Sequence, residues 1–128
     1  MPIEADWDNE EKTVIRYEFR GKYSAEEFED ILDKTDVMAD SVSHTVHYLV
    51  IIFAGMWIPK GVSAPIGRIY TADKPNRGIT MVVGASVPYK TVSEISQDMY
   101  QHLQPNSRIF VRTVEEARTI LNMLNSQN

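Results

Sequence analysis

The chain has 128 residues, 43% hydrophobic and 24% charged, with a formal net charge of −5 and no cysteine. A length near the commonest domain size predicts a single domain with one hydrophobic core. The acidic balance speaks against sequence-independent nucleic-acid binding, which needs several lysines or arginines on phosphates, and the missing cysteines exclude disulfides, thiolate metal sites and a cysteine nucleophile.

The opening "MPIEADWDNEEK" is acidic and lacks an apolar stretch, so no secretory signal is expected. "IEADW" and "TVIRYEFRG" read as two strands around the polar turn "DNEEK". In the second, Ile15, Tyr17 and Phe19 alternate with Arg16, Glu18 and Arg20, the period of a strand with one wet face. "SAEEFEDILDKTDVMADS" then changes to a helical period. Phe28, Ile31, Leu32, Thr35 and Met38 share a stripe, and Ser24 with Glu27 makes a capping box.

"TVHYLVIIFA" is apolar and β-branched without alternation, as a strand covered on both faces would be. "GITMVVGA" has the same character and "SRIFVRT" is a shorter version. The longest apolar run, "YLVIIFAGMWI", is shorter than the ~20 residues a bilayer span needs, so no stable membrane insertion is expected and a cytoplasmic location is the natural reading. Between the strands lie the short segment "SAPIGRIYTADK" and the helix "TVSEISQDMYQHL", capped by Thr91 and Glu94. The chain closes on "TVEEARTILNMLNSQN", with Thr113 and Glu116 as a third box and Val114, Ala117, Leu121 and Leu124 facing inward. The order ββαβαβαβα predicts an α/β domain spanning 1–128, with a mostly parallel sheet of about five strands wrapped by about four helices.

Candidate chemistry is sparse. His44 and His47 flank the start of a strand, His102 is remote, and strand-end or surface positions account for them better than a metal site, which needs converging ligands. Tyr70 and Lys74 reproduce a Tyr-x-x-x-Lys spacing, but no glycine-rich dinucleotide loop follows the first strand and Pro75 ends the segment at once. The carboxylates sit in helix first turns and on wet faces, where the helix dipole explains them. No cofactor and no catalytic residue is assigned. Two loops remain, "AGMWIPKGV" and "GASVPYKTVSE", each following a buried strand at the sheet edge where α/β proteins collect ligands. Met56, Trp57 and Ile58 either fold back over that edge or form an apolar patch for a partner.

The order of elements, together with "WDNEEKTVIRYEFRG", resembles the STAS superfamily (sulfate transporter and anti-sigma factor antagonist), and in particular stand-alone bacterial STAS-like proteins. The resemblance covers nearly the whole chain. It implies the SpoIIAA-like (STAS) fold, a central mixed sheet wrapped by helices, and protein–protein signalling with a regulatory kinase or sigma-factor regulator as partner. Self-association into a homodimer is left open. In signalling members the loop after the third strand carries a phosphorylated hydroxyl residue at a helix start. The matching stretch here is "GVSAPIG", which keeps a hydroxyl only at Ser63, with Gly61, Val62 and Ala64 departing from the pattern. Ser63 is also a preferred helix cap ahead of Pro65. The interaction loop expected on these grounds comprises Met56, Trp57, Ile58, Ser63, Ile66, Arg68 and Tyr70. Two other classes are compatible with the sequence: a carrier or sensor of a small apolar ligand or lipid, on a SEC14-like relative of the fold, and an enzyme whose polar groups converge only in three dimensions.

Overall fold

The computed structural model describes residues 2–53, 76–84 and 108–126. Five strands form one sheet in chain order: β1 (Ile3–Trp7), β2 (Val14–Phe19), β3 (Val46–Ile52), β4 (Arg77–Val83) and β5 (Arg108–Val111). β1 and β2 are antiparallel, and every later neighbouring pair is parallel. Helix α1 (Ala25–Asp40) joins β2 to β3, and α2 (Val114–Ser126) follows β5. This is the expected mixed, mostly parallel sheet. Two helices are seen among the described residues, and the two further helices expected between β3 and β5 fall outside them.

Pleating divides the core into two layers. On one face Ile3, Ala5, Ile15, Tyr17 and Val46 pack against Phe28, Leu32 and Ala39 of α1. On the other, Val14, Leu49, Met81, Ile109 and Val111 pack against Ala117, Ile120, Leu121 and Leu124 of α2. Covering both faces suits a parallel ladder, and all seven residues of β4 are buried. Val46, Leu49, Ile51, Ile79, Met81, Val83, Ile109 and Val111 are buried in this one sheet, with β3 and β4 as parallel neighbours. The first strand pair behaves differently. Arg16 and Glu18 of β2 point to the α2 side yet remain part-exposed, which explains their polarity.

The helix starts are as the sequence implies. Ser24 Oγ accepts the Glu27 N–H at 3.0 Å while Glu27 Oε1 accepts the Ser24 N–H at 3.1 Å. In α2, Thr113 Oγ1 accepts the Glu116 N–H at 3.1 Å, and Thr113 also donates its hydroxyl to Glu116 Oε1 at 3.3 Å. The α1 stripe takes in one residue more. Ala39 is fully buried as well, while Ile31 and Met38 pack half-buried against the same cluster.

β4 begins one residue earlier than the run "GITMVVGA", because a charged side chain can be buried where partners wait. Arg77 is 2% exposed, and its guanidinium reaches Asp40 at 3.2 Å and Asp36 at 3.4 Å, one turn apart at the end of α1. Asn76 beside it donates to the carbonyls of Ala39 at 2.8 Å, Val42 at 3.1 Å and His44 at 3.3 Å, and accepts from Arg77 at 2.7 Å. One asparagine therefore ties the end of α1, the following loop and the start of β4 together. Above it, the Tyr17 hydroxyl donates to Thr35 at 2.6 Å. Burial pushes Tyr17 well above the ordinary tyrosine range and Tyr48 up to about 12.

The β1–β2 turn is held by side chains. Asn9 Oδ1 accepts the N–H groups of Thr13 and Val14 at 3.0 and 3.3 Å, while Lys12 takes the left-handed conformation at φ 58°. Asp8, its side chain 7% exposed, accepts from Arg16 at 2.7 Å and from Arg118 of α2 at 2.8 and 3.1 Å. Burial alone would raise the Asp8 carboxyl, but hydrogen bonds from Arg118 and Arg16 outweigh it and hold the group below the usual carboxylate range. A depressed native value contributes stability that is present above the unfolded aspartate pKa and lost as pH falls through the folded one. Asp8→Asn is expected to cost about 1–2 kcal/mol at neutral pH, since the arginines are part-exposed. It should also flatten the loss of stability below about pH 4. Urea titrations of both proteins from pH 3 to 7 check this.

Candidate functional site

In a sheet that is parallel from β2 to β5, the carboxyl ends at Phe19, Ile52, Val83 and Val111 share one edge. Helices α1 and α2 begin at the same edge, and the chain leaves it after residue 53 and after residue 84 to enter the two candidate loops. Met56, Trp57, Ile58, Ser63, Ile66, Arg68 and Tyr70 all lie outside the described residues, as do Tyr70's spacing partner Lys74 and His102.

What the structure places at the mouth of the first loop is Phe53. Strand alternation puts it on the α2 side with Leu49 and Ile51, but beyond the last ladder position, and it is 51% exposed. Its N–H donates to Phe19 O at 3.0 Å, so its backbone is fixed although its ring is wet. The Arg20 guanidinium lies 4.0 Å from the centre of that ring, a cation–π contact. Arg20 is itself held from two sides: its N–H donates to Pro2 O at 2.7 Å, and its guanidinium pairs with Glu18. On the opposite face the aromatic rings of Phe19, Tyr23 and Phe28 meet edge to face, with centres 5.3 to 6.0 Å apart. Sequence reasoning placed the apolar patch at 56–58 and missed Phe53. The available signal was position: Phe53 is the last apolar residue in phase with Leu49 and Ile51, where covering neighbours run out.

Among the described residues, the starts of α1 and α2 do not invite an anion. Glu26 and Glu27 occupy the first turn of α1, and Glu115 and Glu116 that of α2. They already supply negative charge to the dipole, and Ser24 and Thr113 each accept one of the free N–H groups.

The histidines require a correction. His44 is exposed, with Nε2 donating to Lys12 O at 2.7 Å, but His47 is buried inside the sheet and is no surface residue. No group of three or more His, Asp or Glu side chains suited to a metal ion occurs among the described residues. A groove of about 400 Å³ runs along the outer edge of β1, lined by Glu4, Asp6, Arg16, Glu18 and Lys34 with Ile3, Ala5 and Ile31. Its backbone is partly closed. The bonds Arg20 N to Pro2 O and Asp8 N to Val14 O set the even residues toward β2, so odd residues face outward. Lys34 then donates to the outward Ala5 carbonyl at 2.6 Å, and Asp6 accepts the outward Trp7 N–H at 2.8 Å.

The exit of β4 is set by Gly84, at φ +93°. A Cβ there would stand 2.3 Å from the carbonyl oxygen of Ile52, so β4 can turn away beside the end of β3 only without a side chain. Gly84→Ala is expected to lower stability by roughly 1–3 kcal/mol, from a left-handed backbone and a clash with main chain. Thermal melting checks this, and a variant that melts like the parent would contradict it.

No family model matches the chain, and no curated protein or solved structure is significantly similar to it.

Proposed function

We propose that the protein is a STAS-like, non-enzymatic interaction module that binds a protein partner at the carboxyl edge of its sheet. The observation that carries this reading is Phe53, a half-exposed aromatic ring fixed by its backbone and clamped under Arg20. Aromatic and arginine side chains are enriched among interface residues that carry binding energy, and a ring held in place loses little entropy on docking. The mixed sheet with a helix on each face supports the fold implied by the STAS resemblance. Residues 56–70 begin three positions after Phe53, so the expected loop and the exposed ring belong to one stretch of chain. A regulatory kinase or sigma-factor regulator is the partner class that this resemblance favours, with Ser63 as a helix cap or as the residue to be modified.

Two experiments test the proposal. In the first, wild-type protein captures partners from native cells and Phe53→Ser/Arg20→Gln is compared with it. The double variant should fold, because both side chains are at the surface, and its affinity for the captured partner should fall roughly tenfold or more. Unchanged binding would remove the carboxyl edge from the interface.

In the second, Ser63→Ala should cost about 1 kcal/mol as the loss of a cap, while Ser63→Asp should melt close to wild type because aspartate also caps. If Ser63→Ala melts like wild type and Ser63→Asp alone loses the partner, Ser63 is a switch and not simply a cap.

A further inference from the structure

The register of β3 on β4 slips at one place. Val46 pairs with Arg77 and Tyr48 with Thr80, so the single residue His47 faces both Gly78 and Ile79. This is a bulge in β4. The imidazole fills the space it creates. A Cβ on Gly78 would stand 2.2 Å from His47 Nδ1 and 2.6 Å from Cε1, so the ring occupies the volume a side chain would need. The extra N–H of the bulge, that of Ile79, donates to Nδ1 at 3.1 Å. An accepting Nδ1 places the proton of the neutral ring on Nε2, and Nε2 is buried with no hydrogen-bond partner among the described residues. His47 is 6% exposed.

We propose that His47 is a proton-operated latch on the β3–β4 register: neutral, it closes the bulge at Gly78–Ile79, and protonated, it releases the amino-terminal end of β4. The second proton has nowhere else to go but Nδ1. There it would point at the Ile79 N–H, replacing a hydrogen bond by two opposed donors, and it would leave a cation in an apolar wall. No acid among the described residues stands ready to neutralise it. From α2, residues 119–126 carry no ionisable side chain. From β2, the register partner is Val14, the next residue on that face is Arg16, and Arg16 is occupied by Asp8 and Glu18. From the β1–β2 turn, Asp8 is taken by Arg16 and Arg118, and Glu10, Glu11 and Lys12 are exposed, as is His44 of the loop before β3. From β4, Arg77 lies on the other face against Asp36 and Asp40. Burial accordingly holds His47 below the ordinary histidine range, with no charged group opposing it.

The direction of the effect follows. The unfolded histidine takes its proton near pH 6.5, whereas the folded one resists, so the stability it confers is complete above that value and declines as pH falls through the folded pKa. The loss begins where Asn76 and Arg77 join β4 to α1, so the latch reaches the end of that helix.

The test is an NMR titration of the full chain between pH 4.5 and 8, with ¹⁵N shifts of the histidines and hydrogen exchange at the Ile79 amide. His47 should be the Nε2–H tautomer and titrate below His44. Ile79 protection, corrected for intrinsic exchange, should fall by up to roughly tenfold per pH unit as pH drops from about 6.5 toward the folded His47 pKa, and level off below it. In His47→Asn, whose Oδ1 can accept from Ile79 but takes no proton, protection should not vary over that range. An Nδ1–H tautomer, a protected Ile79 beside a protonated His47, or the same opening in His47→Asn would each overturn the latch. Should the variant fail to fold, the tautomer and the Ile79 exchange of the wild type decide alone.

Discussion

The structure depends on the burial of β4. All seven of its residues are removed from water, and they include an arginine, a glycine and a threonine as well as aliphatic side chains. A strand in that position must have both its faces covered and each of its polar groups met. α2 answers the first demand on one side. The carboxyl end of α1 answers the second, because Asp36 and Asp40 are the groups that receive Arg77. Removing the carboxylates would strand the buried guanidinium, which costs more than the pairs contribute, whereas Asp36 and Asp40 are about half exposed to water. The position of α1 over the sheet is thus tied to a residue far along the chain, as well as to its own apolar stripe.

The two edges of the sheet are built on different principles. At the amino edge, loops and helix ends are stitched by side chains: Asn9 within the hairpin, His44 to Lys12, Asn125 to Thr13 at 3.0 Å, and Asn76 to three carbonyls. At the carboxyl edge the described residues end in an exposed ring, an arginine and a glycine that lets the chain turn away. Rigid support at one end and accessible groups at the other is the arrangement expected where loops carry recognition on a fixed scaffold.

Local patterns read well from the sequence, and long-range ones did not. The alternation of Ile15, Tyr17 and Phe19, the boxes at Ser24 and Thr113, and the apolar runs of β3 and β4 all depend on neighbours within a few residues. The start of β4 did not read correctly, since Arg77 looks like a loop residue until α1 places two carboxylates against it. His47 read as a strand-end or surface histidine, and its burial at the start of β3 did not show, because the cavity that accepts it is made by Gly78 on the next strand. Asp8 gave no sign of a partner 110 positions away at Arg118. Of the interaction loop, the residues from Met56 to Tyr70 rest on sequence, and only Phe53 at its threshold is described.

The antiparallel first strand has a practical consequence for where foreign sequence can be joined. β1 starts at the carboxyl edge, where Pro2 O receives the Arg20 N–H, so anything attached ahead of it emerges beside Phe53. α2 runs the same way, from that edge, and finishes near the hairpin, with Asn125 on Thr13. A purification tag or fluorescent fusion at the amino end would therefore crowd the surface assigned to recognition, whereas one following residue 126 would project from the opposite side. Immobilisation through the latter leaves the ring of Phe53 facing solution.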